Sequence, residues 1–292
     1  MSSQAIEVFN LKKQFTLPLT RKKVRVLEDL SFSVREGSVV GFLGANGAGK
    51  TTTLKIILGL IAADSGTVKI LGKSNTDPSF KNSVGFLTER PYFYDHLTGR
   101  EFLTFCAQLF ESAEALSRVD ILLEEVGIAH AAERPLRRYS KGMLQRIGIA
   151  QALINNPKLL ILDEPMSGLD PDGRADICRI IETCNKKGTT VLFSSHLLND
   201  VENLCDRVVI IDHGKLIAED SVNELLERQS KGYVLEFQLV GSEKRVRMAY
   251  ANLEEVQVKI DTVRKDQGKI LKVDMLRPSL EEVFLNLQRV NR

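Results

Sequence analysis

The chain has few of the features that would place it inside a membrane, on a nucleic acid or in a secretory pathway. No segment approaches the roughly 18 consecutive apolar residues that a membrane-spanning helix needs. The formal net charge is only +2, which is too small to indicate a nucleic-acid-binding protein. Residues 1–7 have neither a basic start nor a long apolar run, so we expect no signal peptide.

Cysteine is scarce as well. The four cysteines form no C-x-x-C pair, and three lie in apolar helical patterns, which favours reduced, buried thiols in a cytosolic protein. They are Cys106, Cys178, Cys184 and Cys205. The remaining composition, with 43% hydrophobic and 27% charged residues over 292 positions, is typical of one large soluble domain with a smaller one.

Residues 44–51 carry the first chemical motif, G-x-x-x-x-G-K-[ST], between a predicted strand and a predicted helix. Glycines allow a backbone to wrap phosphates, and the loop N–H groups and helix N-terminus then face the anion. Lys50 would supply charge to the β- and γ-phosphates, and the Thr51 hydroxyl would bind Mg²⁺. A chance glycine-rich turn is the alternative, which the flanking elements disfavour. The predicted nucleotide-binding residues are Gly44, Ala45, Asn46, Gly47, Ala48, Gly49, Lys50, Thr51 and Thr52.

A second motif follows a continuous apolar run at 158–163, which is typical of a central parallel strand buried on both faces. An acid at the carboxyl end of such a strand lies on the ligand side of an α/β sheet. We therefore expect Asp163 to bind Mg²⁺ and Glu164 to orient and deprotonate a water molecule. A solvated turn is the alternative for this acidic pair.

The order of the other patterns predicts an α/β core with an antiparallel strand layer, a helical insert at about 87–156, and a small α+β unit. We place the domain boundary between residues 1–228 and 229–292. The predicted strands are 6–9, 30–34, 67–71, 82–87, 189–194, 207–212, 233–239 and 270–275. The predicted helices are 98–109, 116–126, a helix capped by Ser140, one from Asp170 to 185, and one capped by Ser279.

The segment 12–25 is basic, with six lysines and arginines and no acid. It can be read as a solvated hairpin tip or as a patch that faces phosphate or lipid. The sequence alone leaves both interpretations open.

Three further segments, taken together with these two motifs, resemble the pattern of a known family. Residues 139–146 (YSKGMLQR) are similar to the signature L-S-G-G-Q of ABC-type ATPases, and 167–170 (SGLD) match the D-loop of that family. His196, after the strand 189–194, matches its switch histidine. The order and spacing agree from about residue 5 to 225, so the chain resembles an ABC ATPase with the fold of that family.

The resemblance implies that two such domains bind two ATP molecules head to tail. Ser140 and Gly142 would then contact the γ-phosphate held by the partner, with Asp170 in the D-loop beside it. His196 would contact the γ-phosphate and the attacking water. Phe15 matches the aromatic residue that stacks on adenine.

Two departures from the family pattern concern the site. Glu89 stands where the family has a glutamine, and its carboxylate could still reach Mg²⁺ or the water. In the signature, Tyr139, Lys141 and Met143 replace leucine, glycine and glutamine, while the serine and the second glycine remain.

The variant signature, Glu89 and the tail 278–284 together resemble the ATPase subunit of exporters whose permease is a separate chain. This implies an ATP-hydrolysing subunit on the inner face of the cell membrane, with a permease and a second ATPase subunit, most simply an identical copy, as partners. No nucleic-acid partner is expected. The alternatives are ABC ATPases without a transport role, which act in DNA repair, translation or regulation.

Two regions outside the motifs carry separate expectations. Three consecutive aromatic residues, Tyr92, Phe93 and Tyr94, are predicted to belong to the surface that docks on the permease. Packing under the helical insert is the alternative. The C-terminal unit is expected to be accessory, because no catalytic motif lies beyond His196.

Overall fold

The computed structural model describes residues 3–18, 20–110, 113–241 and 244–290. The chain divides into two compact units, 1–220 and 221–292. This division lies earlier in the chain than the predicted boundary at 228/229. The difference is one short helix, Val222–Arg228, which packs against the last helix, Leu280–Val290, within the second unit.

The strands and helices alternate over most of the chain. The strands are β1 Gln4–Thr16, β2 Lys23–Arg35, β3 Val39–Leu43, β4 Ser65–Ile70, β5 Lys73–Ser74, β6 Val84–Leu87, β7 Leu159–Asp163, β8 Thr190–Ser195, β9 Arg207–Asp212, β10 Lys215–Ser221, β11 Tyr233–Gln238, β12 Arg245–Tyr250 and β13 Lys269–Met275. The helices are α1 Lys50–Ile57, α2 Gly99–Gln108, α3 Ala113–Glu125, α4 Lys141–Ala152, α5 Pro171–Lys186, α6 Leu198–Leu204, α7 Val222–Arg228, α8 Leu253–Lys265 and α9 Leu280–Val290. Among the described residues, no helix combines the length and the apolar character that crossing a bilayer requires.

A six-stranded sheet in the order β10-β9-β3-β8-β7-β6 forms the centre of the first unit. Every residue of β3, β7 and β8 is buried, which is why β3 and β7 are almost continuously apolar and β8 has an apolar centre between hydroxyl residues. In the parallel register, Leu43 lies beside Ser195, and Asp163 lies beside Ser194. The phosphate loop, the acidic pair and His196 therefore leave the sheet at the same edge.

An antiparallel sheet, β2-β1-β4-β5, forms the second layer, as the sequence predicts. Phe32 of β2 stacks on Phe42 of β3 with ring centres 5.3 Å apart, so the two sheets share one apolar core. The first two strands are much longer than predicted, because their pairing continues to Thr16 and Lys23. The described residues of the basic segment thus lie largely on the two arms of a hairpin.

The helical insert consists of α2, α3 and α4, which pack on one another. Thr98 and Glu101 form a capping box at the start of α2, and Ser140 caps α4, as predicted, by accepting a hydrogen bond from the Met143 N–H. Phe93 is only 8% exposed and packs edge-on against Phe102, with 5.4 Å between ring centres. The expectation that Phe93 belongs to a docking surface is therefore wrong, because its ring fills the base of the insert.

The second unit is a three-stranded antiparallel sheet, β12-β11-β13, packed against α8. Its core is small and contains Leu235, Phe237, Val256 and Val263. No sequence pattern predicts β12 or α8. Arginine alternates with apolar residues in β12, and α8 buries only Val256 and Val263 completely, so neither shows a strong apolar pattern.

Candidate active site

The phosphate loop joins the buried strand β3 to α1. Gly47 and Gly49 adopt positive φ angles of 82° and 107°, which residues other than glycine rarely adopt. A Cβ at Gly49 would also lie 2.7 Å from Leu27 Cδ2 and 3.0 Å from the Val26 carbonyl oxygen. Glycine is thus required at this position both for its conformation and for the close approach of β2.

Lys50, the first residue of α1, is only 7% exposed. Its ammonium group donates a hydrogen bond of 2.7 Å to the Gly44 carbonyl and a longer one of 3.4 Å to Ala45. The same Nζ lies 3.3 Å from Oε1 of Glu164. The cation therefore lies across the loop, within reach of any anion that the loop encloses.

Asp163 ends β7 and is 1% exposed. Its Oδ1 accepts a hydrogen bond of 2.6 Å from the Ser194 hydroxyl. Burial raises the pKa of this carboxyl, and hydrogen bonds from Ser194 and Thr51 partly offset the increase. Among the described residues, nothing donates a hydrogen bond to its buried Oδ2.

Glu164 has a φ angle of +51°, an unusual conformation for a residue with a Cβ. Its N–H donates a hydrogen bond of 2.8 Å to the Ser194 hydroxyl. Its Oε2 lies 2.7 Å from His196 Nδ1, while Oε1 faces Lys50. The carboxylate is consequently held between two nitrogen groups, in a backbone geometry that costs roughly 1–3 kcal/mol.

Ser194 is the residue that the sequence analysis missed. It is fully buried, it accepts a hydrogen bond from the Glu164 N–H, and it donates one to Asp163. The feature of the sequence that points to Ser194 is a hydroxyl residue close to the end of a predicted core strand. Its importance depends on the β7–β8 register, which places it beside Asp163.

These groups surround a cleft of about 520 Å³. It brings the phosphate loop together with Glu89, Glu164 and His196, as predicted for one site. Its lining residues are Val26, Ala45, Asn46, Gly47, Gly49, Lys50, Thr51, Thr52, Glu89, Glu164, Ser167 and His196. Gly44 and Ala48 belong to the loop without lining the cleft; Gly44 contributes its carbonyl to Lys50.

Besides Gly44, Ala48 and Asp163, four further predicted site residues lie outside the lining of this cleft. Ser140 caps α4, and Asp170 caps α5 by accepting a 2.9 Å hydrogen bond from the Gly173 N–H. A Cβ added at Gly142 would meet no atom closer than 4.0 Å, so that position is open. Phe15 is 41% exposed near the end of β1, with the Lys13 ammonium 5.2 Å from its ring centre.

The donor groups at Asp163 suit a hard cation. Within the described ranges, no three His, Cys, Asp or Glu side chains are grouped so that they could hold a metal ion. The buried, unpartnered Oδ2 of Asp163 and the nearby Thr51 hydroxyl are nevertheless two oxygen donors of the type Mg²⁺ prefers. Because Mg²⁺ usually binds through one or two carboxylates, water and substrate phosphates, the residues present fit this ion.

Comparison with known proteins identifies the family. The ABC transporter family model matches residues 27–167. An uncharacterized ABC transporter ATP-binding protein of Synechocystis sp. is 40% identical over 307 residues, which covers 99% of this chain and 86% of the relative. The chain belongs to the ABC transporter ATP-binding proteins.

Two named relatives and one solved structure extend this result. The bacitracin transport ATP-binding protein of Bacillus licheniformis is 37% identical over 89% of this chain and 92% of its own length. The linearmycin resistance ATP-binding protein of Bacillus subtilis is 32% identical, with 97% of each chain covered. A solved ATP-binding subunit of an ABC transporter has a TM-score of 0.67 at 32% identity, covering 77% of this chain and 92% of that one. The ABC protein described here is thus a transport ATPase, which binds and hydrolyses ATP.

Proposed function

We propose that this ABC protein hydrolyses ATP in the cleft between the phosphate loop and Glu164, and that it thereby drives export through a separate permease. Bacitracin transport and linearmycin resistance, the roles named for two relatives, support export as the direction. The observation that carries the proposal is the position of the Glu164 carboxylate between Lys50 and His196.

Each of these three side chains has a step to perform when ATP enters. The β- and γ-phosphates would attract the Lys50 ammonium away from Glu164, because they carry more negative charge than one carboxylate. Glu164 would then be free to take a proton from the water that attacks the γ-phosphorus, a role worth roughly 10²–10⁴-fold in rate. His196 would keep the carboxylate oriented through Nδ1 and direct its other ring nitrogen toward the γ-phosphate.

Thr51 and Asp163 are the residues that would hold Mg²⁺, with Glu89 reaching it from the side of the cleft. The ion, when bound, neutralises charge on the β- and γ-phosphate oxygens. The hydroxyl of Ser194 keeps Asp163 and the backbone of Glu164 in a fixed relation during the reaction.

A second copy of the chain would complete the site. Ser140 and Gly142 lie at the N-terminus of α4, where backbone N–H groups favour an anion, yet they do not line the cleft of their own chain. A head-to-tail dimer would use them on the γ-phosphate held by the partner, with Asp170 nearby. Phe15 would stack on adenine from the hairpin arm, where it pairs with Val24, two residues before the cleft-lining Val26.

The permease would dock on aromatic side chains that follow Glu89. Tyr92 is 86% exposed, and Tyr94 lies between it and Phe105, with ring centres 6.2 Å and 5.6 Å away. Exposed aromatic clusters are enriched at protein interfaces. This contact would hold the protein on the inner face of the membrane, and the C-terminal unit would have an accessory role.

Copurification followed by a transport assay tests this proposal. The protein is tagged, expressed in its native cells and purified from their detergent-solubilised membranes together with any bound membrane protein. We expect the two chains to copurify and, in inside-out vesicles, to accumulate the exported compound only with ATP. Recovery of an active ATPase with no hydrophobic partner would favour the regulatory alternative, and transport without ATP would contradict the proposal.

A further inference from the structure

The cleft has an excess of negative charge for a site that binds a polyanion. Its lining contributes one lysine, Lys50, against two carboxylates, Glu89 and Glu164. A third, Asp163, lies behind them, and the negative charge of Glu89 contributes to raising its pKa, after the larger effect of burial. The lining of the cleft and the residue directly behind it thus contribute one lysine and three carboxylates.

The charges near Glu89 do little to neutralise it. Lys50 already contacts Glu164 and two loop carbonyls. Arg90 pairs with Glu89 at 3.6 Å, but the Arg90 side chain is 91% exposed, and solvent weakens such a pair. Glu89 thus presents a negative charge to the cleft, where a glutamine would present a neutral amide.

A second observation indicates which ligand compensates for this charge. The Oδ2 atom of the buried Asp163 accepts no hydrogen bond from a described residue, and a buried oxygen of this kind is commonly completed by an ion or a water molecule. The described side chains nevertheless provide no three-residue cluster that would hold a metal alone. An ion held here would therefore need further oxygen ligands, which the phosphates of a nucleotide would supply.

We propose that Glu89 makes this cleft discriminate against metal-free ATP in favour of ATP that carries a divalent cation. The proposal rests on the function proposed above. Without metal, Glu89 and the triphosphate repel each other. With Mg²⁺ present, the same carboxylate attracts the complex. The charge of Glu89 thus lowers the affinity for metal-free ATP and raises the affinity for the complex of ATP with Mg²⁺. A purely structural effect of Glu89 would change both affinities in the same direction.

The ratio of nucleotide affinities with and without metal tests this selectivity. A fluorescent ATP analogue is titrated into the wild type and into the Glu89→Gln variant, once with excess Mg²⁺ and once with EDTA. For each protein, the affinity with Mg²⁺ is divided by the affinity in EDTA. We expect this ratio to be about tenfold larger for the wild type than for the variant, as the removal of one nearby charge implies. The variant should bind more tightly than the wild type in EDTA.

The control is Glu124→Gln, which removes the same charge from an exposed position on α3 outside the cleft lining. We expect its ratio to equal that of the wild type. Equal ratios for Glu89→Gln and the wild type would overturn the inference while leaving the proposed function intact. Failure of the wild type to bind the analogue with Mg²⁺ would instead contradict the proposed function. Tight binding of Mg²⁺ without nucleotide would also overturn the inference, because the ion would then be resident.

Discussion

His196 Nδ1 lies 2.7 Å from Oε2 of Glu164, although the two residues belong to different segments of the chain. They follow adjacent parallel strands, β8 and β7, whose register brings their ends together. Glu164 adopts a left-handed conformation there, and its other carboxylate oxygen faces Lys50. The proposed catalytic carboxylate is thus oriented before the substrate arrives, which is the condition for efficient proton transfer.

Replacing Ser194 by alanine tests how far one buried hydroxyl supports this arrangement. The change leaves the Glu164 N–H and Asp163 Oδ1 without this partner, and each unsatisfied buried group costs about 1–3 kcal/mol. We expect lower stability and a larger fall in ATP hydrolysis than stability alone explains. Thr189→Val is the control, because its hydroxyl contacts Pro157 at the other end of the strand. A Ser194→Ala variant with the control's hydrolysis rate would contradict the positioning role.

The Asp163→Asn variant should be more stable than the wild type when no ligand is present. Burial raises the pKa of this carboxyl, so its ionised form is less favourable in the folded chain than in the unfolded chain. The resulting cost is present at neutral pH and disappears below the ordinary pKa of an aspartic acid. Thermal unfolding from about pH 8 to about pH 3, values chosen to lie on either side of that pKa of about 4, checks this prediction.

Two results of that experiment are informative. We expect the variant's midpoint to exceed that of the wild type by a few degrees at the upper pH, with the gap narrowing as the pH falls. Mg²⁺ with ATP should raise the wild-type midpoint but not that of the variant, because the ligand stabilises only the chain that binds it. A lower midpoint for Asp163→Asn without ligand would show that the carboxylate is structural.

The paired change Tyr92→Ser and Tyr94→Ser should uncouple transport while it leaves the ATPase activity of the isolated protein unchanged. Both side chains are exposed and contribute little to the core. Phe93→Ser is the matched control, since a buried phenylalanine typically contributes about 3–5 kcal/mol to stability, and this change should impair folding. Transport and ATPase activity are measured in vesicles and in solution. Full transport by the tyrosine variant would exclude this surface as the docking site.

Truncation after Asp220 should leave ATP binding intact, because no predicted site residue lies in the second unit. The measurement is the affinity for a fluorescent ATP analogue, together with a circular dichroism spectrum. A truncated chain that folds and fails to bind the analogue would contradict the accessory role of the C-terminal unit. An unchanged affinity would leave that unit available for dimerisation or regulation.

The sequence predicted the parts of the site that depend on local patterns. The phosphate loop has a fixed spacing, and the apolar runs of β7 and β8 require burial on both faces. It did not predict Ser194, whose role depends on the register between strands, or the backbone of Glu164. The sequence also cannot separate Phe93 from its two neighbours, because three aromatic residues in a row carry no periodicity and only the packing of α2 decides which ring is covered.

The Glu164→Gln variant tests the central claim, that Glu164 is the general base, most directly. Glutamine keeps the shape of the side chain and removes the base, so we expect ATP hydrolysis to fall by about 10²–10⁴-fold while ATP binding survives. Removal of the negative charge should also favour an ATP-bound dimer on size exclusion, whereas Lys50→Ala should lose nucleotide affinity and remain monomeric. Hydrolysis at the wild-type rate by Glu164→Gln would show that another residue is the base, with Glu89 and His196 as the candidates.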